Sequence, residues 1–395
     1  MFFSLNHSVE KLSTKSLAEI NFNSSSNIEE LLNNSSDRCA IKLKSKSVFS
    51  SEESELENHF NQKFWQLEGN HKDLEFKDHI LYSFKDVVTN PRHGIVILEK
   101  DKFLHESSCY TGKKKIFGLE RHKNDNFFEV PIKFLKNIKE SKDPILFGLS
   151  TSPVNNYCHF NLDIISGLLP VLDHIRNNKI KLLVGHKLLP YQKSLLDILG
   201  LNEDHFFISK DKLLKCPRLI KSSSNFHLYK KFLSSSVLDL FPFLANQLTS
   251  AVNIENTYPE RVYLKRTKST SKRQVKWHGM SQFEDLLKKY NYSFIDPGKL
   301  SIPEQIRLFG SAKFIIGEHG AAFTNTGYCN SECVIIEILP DTRITKLFYQ
   351  ISKSAGAKHI VLPAESSSIK EGKNINDFEY HVPLNDLSSL LSTIH

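Results

Sequence analysis

Short, almost wholly apolar runs punctuate the chain, and between them lie longer stretches whose apolar residues recur at helical spacing. Strands are predicted over 94–98, 144–148, 180–184 and around Leu219-Ile220, where β-branched and leucine residues cluster between Gly and Pro boundaries. Helices are predicted over 159–175, over 191–199 with Gly200 as the stop, and over 230–248, where Pro242 interrupts the pattern. A second series opens at Pro259. Its strands are predicted at 261–264, 293–295, 313–316, 333–338 and 359–362, and its helices at 280–290, from Ser301 onward, and at 383–394. Ser301 is placed to cap its helix, Pro303 suits the first turn, and Glu304 favours the positive helix end.

Strands with no polar face are buried on both sides, which implies α/β folding with parallel sheets covered by helices. The break between the two series, near 245–260, divides the chain into two Rossmann-like domains, 76–250 and 251–382, with a closing helix over 383–395. Residues 1–75 differ: they are polar, weakly periodic and rich in Asn and Ser between 21 and 36. They read as an accessory or partly disordered segment.

Composition changes this picture little. Of the 395 residues, 40% are apolar and 24% charged, enough for real cores and incompatible with wholesale disorder. The net charge of +8 suits an anionic partner without demonstrating one. Six scattered cysteines are too few for a disulfide scaffold and form no zinc-ligand run. The start lacks the apolar core of a signal peptide, and no apolar run nears the ~20 residues needed to span a bilayer. A cytoplasmic protein is expected.

Four places carry candidate chemistry. The strand ending Ile315-Ile316-Gly317 runs into Glu318-His319-Gly320-Ala321-Ala322, small residues leading into a helix start. Ligands of open α/β sheets bind at the carboxyl ends of strands, and free N–H groups there attract anions. His319 suits a diphosphate donor or a turn-packing role equally well on spacing alone. The dinucleotide pattern GxGxxG is not met. Arg266, at the end of the strand over 261–264, and Lys272-Arg273 beyond it supply cations whose planar or charged heads match phosphate oxygens. His159 and Asp163 stand four apart at the start of an apolar helix, on one face, either as an acid–base pair or as a helix start with a satisfied buried His. Glu337 interrupts an apolar strand near its carboxyl end, as a ribose ligand or an edge residue facing solvent. No Asp-x-Asp pair occurs, so no metal site of that kind is predicted.

The set of elements in order resembles glycosyltransferase family 61. The matching residues are Val262-Tyr263-Leu264-Lys265-Arg266, Lys272-Arg273, Leu300-Ser301 with Glu304-Gln305-Ile306, 315–325, and the strand from Val334 with Pro340 after it. Upstream, 156–163 resembles the family's Tyr-x-His-aromatic-x-x-Asp segment, and 195–200 also fits. Two departures stand out: Trp277-His278 where the family usually has Asn-Glu, and Lys265 where Ser is common.

The resemblance implies a GT-B architecture, two Rossmann-like domains with parallel sheets facing an interdomain cleft, acceptor domain first and donor domain second. It implies inverting transfer from a nucleotide-diphosphate sugar, expected to be a UDP-sugar, to a hydroxyl of a glycan or lipid-linked glycan, with no cofactor and no required metal. Arg266, Arg273, Gln305, Gly317, His319, Gly320, Ala321 and Asn325 would bind the donor, with Glu337 on its ribose. Asp163, with His159 beside it, would be the general base. The missing leader implies a cytoplasmic enzyme of surface-polysaccharide (capsule) synthesis, with its basic surface near anionic lipid. The alternatives are a binding module of the same fold without turnover, which the Trp277-His278 departure motivates, and a nucleic-acid-binding protein. The last has only the net charge behind it, without clustered basic residues or a recognition motif.

Overall fold

The computed structural model describes residues 9–15, 21, 23–44, 47–49, 52–69, 73–99, 102–104, 115–116, 119–122, 127–131, 136, 138–149, 155–224, 232–249, 258–265, 276–366 and 379–395. The chain divides into two units, one formed by 1–47 with 76–240 and the other by 48–75 with 241–395. Most of the predicted strands and helices are present within two residues of their expected bounds, but the helix expected over 230–248 begins only at Val237, after a short strand at Leu233–Ser234. Among the described residues, no helix is long and apolar enough to cross a membrane.

The first unit is built on β1 (Arg38–Lys44), β2 (His79–Thr89), β3 (Leu146–Gly148), β4 (Lys181–Val184), β5 (Phe206–Ile208) and β6 (Leu214–Ser222). Strands β5, β4, β3 and β6 lie side by side and parallel. In chain terms that order is third, second, first, fourth, so the winding reverses between β3 and β6. The sheet is not wholly parallel as expected. It continues through β2 and β1, antiparallel to their neighbours, because β2 carries an alternating buried and half-buried pattern suited to a one-sided strand.

The second unit holds β7 (Arg261–Leu264), β8 (Lys276–His278), β9 (Ser293–Ile295), β10 (Phe314–Glu318), β11 (Val334–Pro340), β12 (Lys358–Ser366) and β13 (Glu379–His381). Strands β9, β7, β10, β11 and β12 are parallel in that spatial order, and the winding reverses between β7 and β10. Alternate residues of β11 and β12 serve opposite faces. Ile336, Ile338, Ile360 and Leu362 pack with Phe283, Leu287, Leu387 and Leu391 of the helices Met280–Lys289 and Leu384–Ile394. Leu339 and Val361 pack with Phe64, Trp65 and Tyr349 on the other face.

Phe64 and Trp65 come from the segment read from sequence as accessory. Its helices Glu55–Phe60 and Gln62–Glu68 are part of the second unit's core. Asn61 between them behaves like a piece of strand: its Nδ2 donates to the His359 carbonyl at 2.9 Å and its Oδ1 accepts from the Val361 N–H at 2.8 Å. The buried Glu57 carboxylate accepts from the His359 N–H at 2.8 Å and from Lys353 Nζ at 2.9 Å. Two side chains thus satisfy an edge of β12 that no strand covers at that point. Polar residues looked unstructured in the sequence because their partners lie some 300 positions away, as with Asn61 and Val361.

Asn61→Leu is expected to cost about 2–4 kcal/mol, because it leaves a buried N–H and a buried carbonyl without partners. Urea unfolding measures it, with the exposed Leu67→Ala as a near-neutral control. Equal stability of Asn61→Leu and the parent chain would refute the edge-cover role.

Candidate functional site

In the second unit, β10 ends at Glu318 and the His319 N–H extends the ladder by donating to the Ile338 carbonyl at 2.8 Å. Gly320 adopts extended backbone, and the 3-10 helix Ala321–Tyr328 follows. The turn therefore stands where the winding reverses, between the carboxyl ends of β7 and β10. Gly317 sits in tight packing: a Cβ there would lie 3.1 Å from Leu264 Cβ and 3.3 Å from the Phe323 ring, closer than side chains ordinarily approach.

Glu337 of β11 is 1% exposed. Its Oε1 lies 2.5 Å from His319 Nδ1 and its Oε2 lies 3.2 Å from His359 Nε2. An edge residue facing solvent is excluded by this burial, and both oxygens are turned to imidazoles instead of a ribose. Burial alone pushes the carboxyl up, but the two imidazoles outweigh it and hold it down at about 2. A carboxylate only accepts, so Nδ1 of His319 carries the proton between them, and Nε2 is the nitrogen turned away from Glu337. His359 is itself oriented: with its Nε2 proton turned to the carboxylate, Nδ1 accepts from the Ser352 hydroxyl, whose Oγ lies 2.6 Å away. Phe323 and Phe348 close the group, with ring centroids 5.9 Å apart. His359 was missed by sequence reading. The only available signal was a single polar residue at the start of the apolar run Ile360-Val361-Leu362.

The remaining donor-side residues divide. Gln305 and Asn325 are both buried and hydrogen-bond each other, Asn325 Nδ2 to Gln305 Oε1 at 2.8 Å, which ties the helix Ile302–Ser311 to the 3-10 helix. Ala321 opens that helix. Arg266 and Arg273 lie outside the described residues. Lys265 pairs with Glu284 at 2.9 Å. Trp277 and His278 form β8 and brace the sheet edge: Trp277 packs on Tyr380, and His278 bonds Glu379 at 2.7 Å. Glu318 is a further buried carboxylate, accepting from the Tyr263 hydroxyl at 2.7 Å.

In the first unit, Asn156 caps the helix that begins at Tyr157 by accepting from the Cys158 and His159 N–H groups. The helix then widens to a π-turn over Phe160–Ile165, a local irregularity that recurs at functional sites. His159 Nδ1 and Asp163 Oδ2 meet at 2.9 Å, as their spacing predicts. Exposure orders the couple: the Asp163 side chain is 1% exposed and that of His159 22%. Ser224 Oγ bonds the Asp163 carbonyl at 2.8 Å and so fixes the helix to the end of β6. Lys221 of β6 is fully buried, its Nζ 3.5 Å from the Gly148 carbonyl, and burial pushes its amine down to about 8. It was also missed. Its signal is a lysine directly after Leu219-Ile220, at the strand next to the reversal of winding.

Residues 157–336 match the family model Glycosyltransferase 61. The segment belongs to glycosyltransferase family 61. No curated protein matches the chain. The family 61 segment begins at the helix that holds His159 and Asp163 and takes in His319, while Glu337 follows directly after its last residue. The carboxylate that orients His319, and His359 behind it, thus stand beyond the matched span.

Because the Glu337 carboxyl is held down in the folded chain and returns to its ordinary 4.5 on unfolding, its contribution is full above pH 4.5 and is lost as the pH falls toward 2. The full contribution is about 3 kcal/mol, of which about 1 kcal/mol should be gone by pH ~3.5. Denaturant unfolding of the parent chain and Glu337→Gln at pH ~6.5 and ~3.5 should show their stability gap narrowing by that amount. A gap that does not change with pH would refute the ionised pairing.

Proposed function

We propose that the chain is an inverting, metal-independent glycosyltransferase of GT-B type, moving a sugar from a nucleotide-diphosphate sugar to a glycan hydroxyl. The observation that carries the reading is His319, held by a buried, ionised Glu337 at the point where the winding of the second sheet reverses. On this reading the second unit binds the donor and the first the acceptor. The acceptor oxygen attacks the anomeric carbon while the bond from that carbon to the diphosphate breaks, and the nucleotide leaves with the electron pair. Arg266, Arg273 and the Nε2 side of His319 stabilise the departing charge.

We propose an exchange of the expected roles in the other couple. Asp163 is buried behind His159, so the imidazole is the group that meets the acceptor hydroxyl and takes its proton. Asp163 orients that ring and stabilises its charged form, as a carboxylate does in other His–carboxylate couples. On this reading Glu337 plays the same part for His319. UDP is the nucleotide we propose, with the surface-polysaccharide role and peripheral contact with anionic lipid as the cellular setting.

Arg266→Ala, His319→Ala and His159→Ala are each expected to lower transfer by about 10²-fold or more in a radiolabelled assay over a panel of UDP-sugars and glycan acceptors. Chelator should leave the rate unchanged. Near-parental transfer in His319→Ala and Arg266→Ala would overturn the donor site. Saturable UDP-sugar binding without any turnover would favour the binding-module alternative.

A further inference from the structure

The first unit contains a cavity of about 890 Å³ that involves neither His–carboxylate couple. Its walls come from four segments: the turn at Asn90–Arg92, the loop after β4, the helix Pro190–Ile198, and the stretch from Asn202 to Lys212 that includes β5. Gly185 makes the close approach possible, since a Cβ there would lie 2.1 Å from the Pro91 backbone. The volume falls in the range of small-molecule and oligomer-end sites.

The lining combines three chemistries. Arg92, Lys187, Lys193, Lys210 and Lys212 bring five cations, at least one from each segment. Among the described residues, Lys187, Lys193 and Lys210 enter no ion pair of the first unit, while Asp211 is already engaged by Lys139 at 3.1 Å and by Ser209 Oγ at 3.0 Å. Leu188, Phe206 and Ile208 supply an apolar wall, and Ile208 is 61% exposed there, a large apolar side chain left open. Asp197 and Glu203 supply acceptors for hydroxyl groups. Both ring nitrogens of His186 are shut from solvent without a well-formed hydrogen bond, with Gln192 as the polar neighbour.

We propose that this cavity binds an acidic glycan, a carbohydrate segment bearing carboxylate or phosphate groups. The inference rests on the transferase reading only in taking the ligand to be carbohydrate. Apolar side chains cover the CH faces of sugar rings, the carboxylates accept from hydroxyls, and the cations pair with the acidic groups. A nucleotide or nucleic acid fits less well, because the cavity offers one aromatic ring and no second to stack against it.

Calorimetric titration of the full chain tests this with four probes. They are a tetrasaccharide of alternating glucuronate and N-acetylglucosamine, phosphorylated maltotetraose, maltotetraose itself, and a short oligothymidylate. At least one acidic sugar should bind at least about tenfold more tightly than maltotetraose, and the better of the two identifies carboxylate or phosphate as the source of the charge. The triple variant Lys187→Ala, Lys193→Ala, Lys210→Ala removes only exposed side chains, and should weaken that binding by about tenfold, as should Ile208→Glu. Thermal stabilisation by UDP should be unchanged in both variants. In His319→Ala, loss of the UDP effect with acidic-glycan binding intact would separate the two sites. The proposal is overturned if maltotetraose binds as well as the acidic sugars, if oligothymidylate binds best, if the variants bind unchanged, or if no acidic sugar saturates.

Discussion

An ionised carboxylate buried in a sheet must be compensated locally, and Glu337 sets this requirement for the whole second unit. Its compensation comes from two imidazoles, one at the end of the neighbouring strand β10 and one on β12 on its other side. Both strands must therefore hold register against β11. The parallel ladders supply that register, and the alternation of β11 turns Glu337 away from the Ile336 and Ile338 face.

The same constraint explains why a distant N-terminal segment is indispensable to the site. His359 sits on an edge of β12 that has no neighbouring strand at that point. Asn61 and Glu57 bind the backbone of that edge, and Ser352 fixes the ring. The interactions run in series, from the helices at 55–68 to β12, from His359 to Glu337, and from Glu337 to His319. Buried polar groups of this kind stabilise only when each is satisfied, and the contacts from Asn61 to β12 and from His359 to Glu337 meet that condition.

The first unit solves a similar problem in a different way. Its carboxylate, Asp163, and its imidazole, His159, lie on one helix, one turn apart, so the pairing is local and was legible from spacing. The tertiary structure contributes the order of burial that makes His159 the outer member. It also contributes Ser224 on the Asp163 carbonyl and the buried Lys221 near Gly148. The couples in the two units thus share a plan, a buried carboxylate behind a more exposed ring, on unlike secondary structure.

What the sequence determined by itself is the set of elements and the local pairs. Apolar runs of four or five residues between turn signals read as buried strands, the Ser301–Glu304 pair marks a helix start, and the turn of small residues after Ile316 sits at a strand end. Family resemblance found the same turn by its order among other motifs. Tertiary structure alone decided the rest, because it depends on residues far apart in the chain. Glu337 meets two imidazoles because β10 and β12 flank it. Gln305 and Asn325 became braces because their helices meet. The polar stretch around Asn61 became core because its hydrogen-bond partners lie on β12. A polar residue's role is set by its partner, and neither periodicity nor composition carries that information when the partner is hundreds of positions away.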